Sequence, residues 1–247
     1  MQNFVDKTIW VIGATDGIGR AFVERLDSSI KTNFILSARS KDKLEQIADN
    51  LKNKSTILDF DVADYQGFKE KSATALNLNP DYIIYLPAFY EPSLISEITA
   101  ENLQKTIDTN LTAVFYLFEF MLPYLKKHPS TQLAVTASVA GYIGLPRSQP
   151  YAATKAGVIN LVESAKAENP ELDIRLINPS FVKTKLTDKN NFRMPAILEA
   201  KDAADTIIKG LNSNSFEIHF AKKFTLTLKL IASLPYKLYF KIAKKMM

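Results

Sequence analysis

No cysteine occurs among the 247 residues, which excludes disulfides, thiolate metal sites and a cysteine nucleophile and suits a reducing compartment. Histidine is nearly as scarce. His128 and His219 are too few for most metal centres, and no metal is expected. The N-terminus lacks a charged segment followed by an apolar run of signal length, since TIWVIG (8–13) is only strand-sized, so a cytoplasmic protein is expected. No Gly/Ser linker, repeat or low-complexity tract marks a domain boundary.

What is present reads as globular. Hydrophobic residues make up 47% and charged residues 23%, enough apolar surface for one large α/β core. The net charge of +5 is uneven: residues 218–247 hold seven lysines and no acid, leaving −2 on the remainder. The body has no basic stripe interleaved with aromatics, so no nucleic-acid partner is expected.

Strand-length apolar runs recur at 8–13, 34–38, 56–60, 82–86, 132–137 and 174–178, with a short strand near 216–220. Amphipathic stretches at 17–27, 41–52, 64–77, 101–126, 151–168 and 201–211 alternate with them. Continuous apolar strands joined by crossover helices argue for a doubly wound, Rossmann-type α/β fold. The expected sheet is mostly parallel and seven-stranded, with helices on both faces of a single domain.

The first strand runs into GATDGIGRAF, where Gly13, Thr15, Asp16, Gly17, Ile18 and Gly19 form the turn into the first helix. Glycines there let a pyrophosphate approach backbone N–H groups at a helix N-terminus, where the dipole favours negative charge. After the second strand, an NAD-binding protein would place a carboxylate on the ribose hydroxyls. This chain has Ala38, Arg39 and Ser40 instead, and a guanidinium attracts a 2′-phosphate, so NADP(H) is preferred over NAD(H).

Further on, Ser138 precedes Tyr151 by thirteen residues and Lys155 follows it by four, which puts tyrosine and lysine on one helix face. Spacing alone is weak, because Tyr65 and Lys69 repeat it without a serine strand ahead of them. Context separates the two pairs: Ser138 follows a strand end, and the next strand ends in NPSFVKT (178–184), so all converge at the carboxyl ends of the strands.

On these motifs, in this order, the chain resembles the short-chain dehydrogenase/reductase family over nearly its whole length. The resemblance implies Tyr151 as acid/base, Lys155 as its cationic neighbour and ribose contact, Ser138 as donor to the substrate oxygen, and Asn110 as support for a proton relay. It further implies Asp61 and Val62 at the adenine, Ala88, Pro179 and Val182 along the cofactor, and Thr184 near the carboxamide. A phenol with pKa about 10 becomes a base near pH 7 only with roughly 4 kcal/mol of differential stabilisation, which Lys155 and the oxidised nicotinamide together are expected to supply.

The chain departs from the family pattern in three places. Leu86-Pro87-Ala88-Phe89 stands where relatives carry Asn-Asn-Ala-Gly, Ile12 replaces a threonine and Ser180 replaces a glycine. Ile12 and the Leu86 segment are expected to form a matched apolar contact. Phe89 brings a ring towards the cofactor's ribose, which motivates an alternative, a non-catalytic NADP-binding sensor or membrane-associated scaffold. Ser180 adds a hydrogen-bonding group near the nicotinamide.

The expected reaction is carbonyl reduction or alcohol oxidation on a small, apolar substrate by a homodimer or homotetramer. A family epimerase or dehydratase would carry a larger substrate region than the short segment 185–200. Apolar residues of that segment, Phe192, Met194, Pro195, Ile197 and Leu198, either line a pocket or pack on the sheet. Residues 1–221 are read as the catalytic domain and 222–247 as a basic extension. In it Leu238, Ile242 and Met246 recur at fourfold spacing after Pro235, with Lys237, Lys241, Lys244 and Lys245 offset. Such a helix either docks on an anionic membrane, at its inner face, or completes the core or a subunit interface.

Overall fold

The computed structural model describes residues 2–192 and 194–244. Among them seven strands form one sheet: β1 (Thr8–Ile12), β2 (Asn33–Ala38), β3 (Lys54–Asp59), β4 (Tyr82–Tyr85), β5 (Gln132–Thr136), β6 (Asp173–Asn178) and β7 (Glu217–His219). Their order is β3-β2-β1-β4-β5-β6-β7, and every neighbouring pair is parallel. The helices between them are α1 (Gly17–Asp27), α2 (Lys41–Ala48), α3 (Tyr65–Leu76), α4 (Ala100–Ile107), α5 (Ala113–Lys127), α6 (Tyr151–Glu168) and α7 (Ala200–Leu211).

Both sheet faces are covered, which is why the strands read as unbroken apolar runs; β5 is buried at every position. The two-residue strand period divides the core. Trp10 and Ile12 point into one layer with Phe68 of α3, Val114 of α5 and Val158 of α6. Ile9 and Val11 point into the other with Phe22 of α1, Leu44 of α2 and Ile207 of α7. The chain winds outward from β1 to β3 and then returns to β4 on the other side of β1, so a crevice opens at the strand carboxyl ends between β1 and β4.

Two elements differ from the expected pattern. The helix expected over 101–126 is two helices, because a π-helical turn at Asp108–Thr112 separates α4 from α5. Such turns loosen the hydrogen-bond ladder locally and leave no periodicity signal to read. The extension is two helices, α8 (Lys222–Ala232) and α9 (Tyr236–Ala243), with Pro235 as the N-cap of the second, one residue before the helical turn in which it was expected. Of its proposed apolar stripe, Leu238 is exposed and Ile242 half-buried, while Lys245 and Met246 lie outside the described residues. Among the described residues no helix is long and apolar enough to cross a membrane.

Candidate functional site

A cleft of about 400 Å³ lies at the crevice between β1 and β4. Its floor is the glycine turn. Gly13 has φ +89° and packs so closely on the segment after β4 that a Cβ would stand 3.1 Å from the Pro87 nitrogen. A Cβ on Gly19 would stand 2.1 Å from the Gly13 carbonyl oxygen, so only glycine lets α1 start this close to the end of β1. Thr15, Asp16, Gly17 and Ile18 line the same floor. Asp16 caps α1 by accepting from the Gly17 N–H at 2.8 Å and pairs with Lys185 at 2.8 Å. Burial pushes its carboxyl up, but the Lys185 ammonium and the Gly17 N–H outweigh this and hold it below the usual range.

At the adenosine end Ala38, Arg39, Ser40, Asp61 and Val62 line the cleft. The Arg39 guanidinium lies 3.9 Å from the Asp61 carboxylate and remains largely exposed. Ser40 serves as the N-cap of α2, accepting from the Lys43 N–H at 3.4 Å. Lys43 and Lys185 also line the cleft and were missed from the sequence. Lys43 was findable, since it lies in the first turn of the helix that Ser40 caps, close behind Arg39 in the chain. Lys185 was not, because its placement comes from the fold of the segment after β6.

Ala88, Pro179, Val182 and Thr184 line the middle of the cleft with Ser138 and Tyr151. Lys155 and Asn110 do not open onto it: both are buried behind it, at 1% and 0% exposure. Lys155 Nζ donates to the Thr136 carbonyl at 3.1 Å and stands 5.6 Å from the centre of the Tyr151 ring. Asn110 sits on the π-helical turn. Its Oδ1 accepts from the Phe89 N–H at 2.7 Å, and its Nδ2 donates to the Phe89 carbonyl at 2.7 Å and to Thr154 Oγ1 at 3.4 Å.

Burial governs both titrating groups. It pushes the Tyr151 phenol up to about 12, with Ser138 pulling the other way and Tyr90 adding to the rise. It pushes the Lys155 ammonium down to about 7. The lowering of the phenol expected from Lys155 and the oxidised nicotinamide together is not among these influences, and the Tyr151 phenol is protonated at neutral pH.

The Leu86–Phe89 departure is accommodated in two ways. Leu86 donates its N–H to the Ile12 carbonyl at 3.0 Å, but the two side chains join opposite core layers, so the contact is through backbone and not a matched apolar pair. The Phe89 ring lines the cleft with the Lys105 ammonium 4.6 Å and the Lys189 ammonium 5.5 Å from its centre. The ring is thus held by cations at its edge of the cleft.

The segment after β6 closes over the site from the other side. Tyr90, next to Phe89, packs edge-on against Tyr151 and donates its hydroxyl to Asn190 Oδ1 at 2.7 Å. Lys189 donates to the Tyr90 carbonyl at 2.9 Å and pairs with Glu91 at 2.6 Å. The rival pair is elsewhere: the Tyr65 hydroxyl donates to Glu119 on the outer surface of α3 and α5.

The residues present fit a dinucleotide. The glycines let the end of β1 and the start of α1 close on each other and leave the turn's backbone bare of side chains, basic side chains stand at the adenosine end, and the buried hydroxyls of Thr136 and Ser180 line the cleft without a partner.

Comparison with known proteins agrees with this geometry. The family model described as short chain dehydrogenase matches residues 7–194. An uncharacterised oxidoreductase of Staphylococcus epidermidis is 26% identical over 219 residues, 87% of this chain and 95% of its own length. A short-chain dehydrogenase/reductase from Burkholderia phymatum, solved in complex with NAD, superposes with TM-score 0.83 at 21% identity over 93% of this chain and 94% of its own. An alcohol dehydrogenase from Thermococcus sibiricus, solved with 5-hydroxy-NADP, gives TM-score 0.77 at 22% identity over 87% and 95%. At these identities the two structures speak for the fold, and the family model, spanning most of the chain, speaks for descent: the protein is an oxidoreductase of the short-chain dehydrogenase family.

Proposed function

We propose that this protein is an NADP(H)-dependent carbonyl reductase or alcohol dehydrogenase acting on a small apolar substrate. The observation that carries the reading is that Ser138 and Tyr151 open onto the same cleft as the glycine cradle, with Lys155 buried directly behind the tyrosine. When bound, the nicotinamide supplies a hydride to a carbonyl carbon or takes one from an alcohol carbon. In the reductive direction Tyr151 gives its phenolic proton to the carbonyl oxygen while the Ser138 hydroxyl donates a hydrogen bond to it, stabilising the charge that develops there. Carbonyl, hydride and proton together make the alcohol. The phenolate left behind is stabilised by Lys155, whose charge matters most at that moment, and takes its proton back from solvent. Asn110 fixes the backbone of Phe89 at the edge of the site.

In this reading the phosphates lie on the glycine turn at the start of α1, the 2′-phosphate meets Arg39 with Lys43 beside it, and Asp61 and Val62 contact the adenine. Ala88, Pro179, Val182 and Thr184 contact the rest of the cofactor. The alcohol dehydrogenase from Thermococcus sibiricus, solved with an NADP derivative, supports the fold's compatibility with such a nucleotide. We further read the protein as a cytoplasmic homodimer or homotetramer, with 1–221 as catalytic domain and 222–247 as an extension that meets a membrane surface. A panel of ketones and aldehydes assayed for NADPH oxidation tests the activity. Turnover by the native protein and its loss in Tyr151→Phe are expected; tight NADPH binding without turnover of any carbonyl would favour the sensor reading.

A further inference from the structure

Among the described residues, α8 and α9 are seated on the protein by one face and exposed on the other. On the inner face Thr225 Oγ1 meets His219 Nδ1 at 2.5 Å, and Lys229 donates to Glu217, which also accepts from Tyr142. The Phe224 ring lies 6.0 Å from that of Phe181, which in turn lies 5.7 Å from Phe192. In α9 the Tyr239 hydroxyl donates to the Gly144 carbonyl. The two helices therefore rest on the loop after Ser138 and on the segment after β6, the two stretches that flank the catalytic mouth.

The outer face is apolar and basic together. Leu226 and Leu230 are one turn apart on α8 at 57% and 65% exposure, and Tyr236 and Phe240 are one turn apart on α9 at 79% and 63%, with their rings stacked. Lys222 and Lys223 precede the leucines, and Lys237, Lys241 and Lys244 are exposed beside the aromatics. No acidic residue occurs anywhere in 218–247.

Resting on the reading of the extension given above, we propose that the outer face of α8 and α9 binds the surface of an anionic phospholipid bilayer. Apolar and aromatic side chains enter the headgroup boundary while the lysines reach the phosphates, their stems lying along the apolar surface. A second copy of this chain fits the face poorly, because it would bring one lysine-rich face against another, and the rest of the body carries only −2 to offset it. Docking in this way brings the two loops at the catalytic mouth beside the lipid, so the substrate class is an apolar carbonyl or alcohol dissolved in the bilayer.

The test is co-sedimentation of the full-length protein with phosphatidylcholine vesicles, with and without phosphatidylserine. Binding to the anionic vesicles only is expected, with release as salt shortens the Debye length from about 10 Å at 0.1 M to about 3 Å at 1 M. Lys222→Gln, Lys237→Gln and Lys241→Gln should each weaken binding about fivefold. The paired variant Leu230→Ser, Phe240→Ser should abolish it while NADPH binding, measured in parallel, shows the fold intact. No binding to anionic vesicles overturns the proposal, as does a dimer that the paired variant dissolves without any vesicle binding by the native chain. Neither readout needs turnover, so an inactive protein that binds vesicles refutes the enzyme reading alone.

Discussion

The ring of Tyr90 stands edge-on to that of Tyr151, with centroids 4.9 Å apart and planes at 69°. Tyr90 follows directly on the Leu86–Phe89 segment, and its hydroxyl is tied to Asn190 on the opposite loop. The pair joins the two sides of the site at the residue proposed to move the proton. Tyr90→Phe keeps the rings in contact and removes the tie. Losing one such hydrogen bond, worth about 0.5–1.5 kcal/mol, should lower kcat/KM roughly two- to tenfold, mainly through KM. Steady-state kinetics on the best ketone of the panel checks this, and a change confined to kcat would mean that the tie does not position substrate.

The buried lysine makes stability depend on pH in a definite direction. Lys155 titrates near 7 in the folded chain and at the ordinary 10.5 when unfolded. Between these values the unfolded state binds more protons, so stability rises with pH across that window, by at most about 1.4 kcal/mol per pH unit, and the full cost of the buried charge is present below 7. Tyr151 acts at the other end: its folded value near 12 lies above its ordinary 10, so its contribution is present below 10 and is lost as pH rises to 12. Urea unfolding of native protein and Lys155→Met at pH 6.5 to 9 checks the first statement. The difference between the two should shrink or change sign in favour of the native chain as pH rises.

Much of the fold was legible because the strands are buried on both sides and therefore read as unbroken apolar runs. All seven are present, with ends shifted by a residue or two. The glycine turn was equally plain, since Gly13 and Gly19 answer to backbone approach that no other residue permits. The break at Asp108–Thr112 was not legible, because a π-helical turn changes hydrogen bonding and not composition. Nor was the environment of Phe89, whose cations Lys105 and Lys189 come from distant parts of the chain. The roles of Tyr90 and Lys185 depend on the same kind of long-range placement, which spacing along the sequence does not carry.

Gly19→Ala should be the most damaging small change in the site. Its Cβ meets a backbone carbonyl, which cannot swing aside as a flexible side chain would. Overpacking of this kind costs about 1–3 kcal/mol, and the shift opens the α1 start on which the phosphates are proposed to lie. Thermal unfolding should show a lowered Tm and titration a weakened NADPH affinity. Unchanged values for both would contradict the close approach described here.

The central claim is that the cleft holds NADP(H), and a fluorescence titration of the native protein and of Arg39→Ala with NADPH and with NADH tests it most directly. Micromolar binding of NADPH, much weaker binding of NADH, and a roughly tenfold or greater loss of NADPH affinity in Arg39→Ala are expected for one charge-assisted contact. Binding of neither nucleotide to the native protein would mean that Leu86–Phe89 closes the cleft, and would contradict the account at its root.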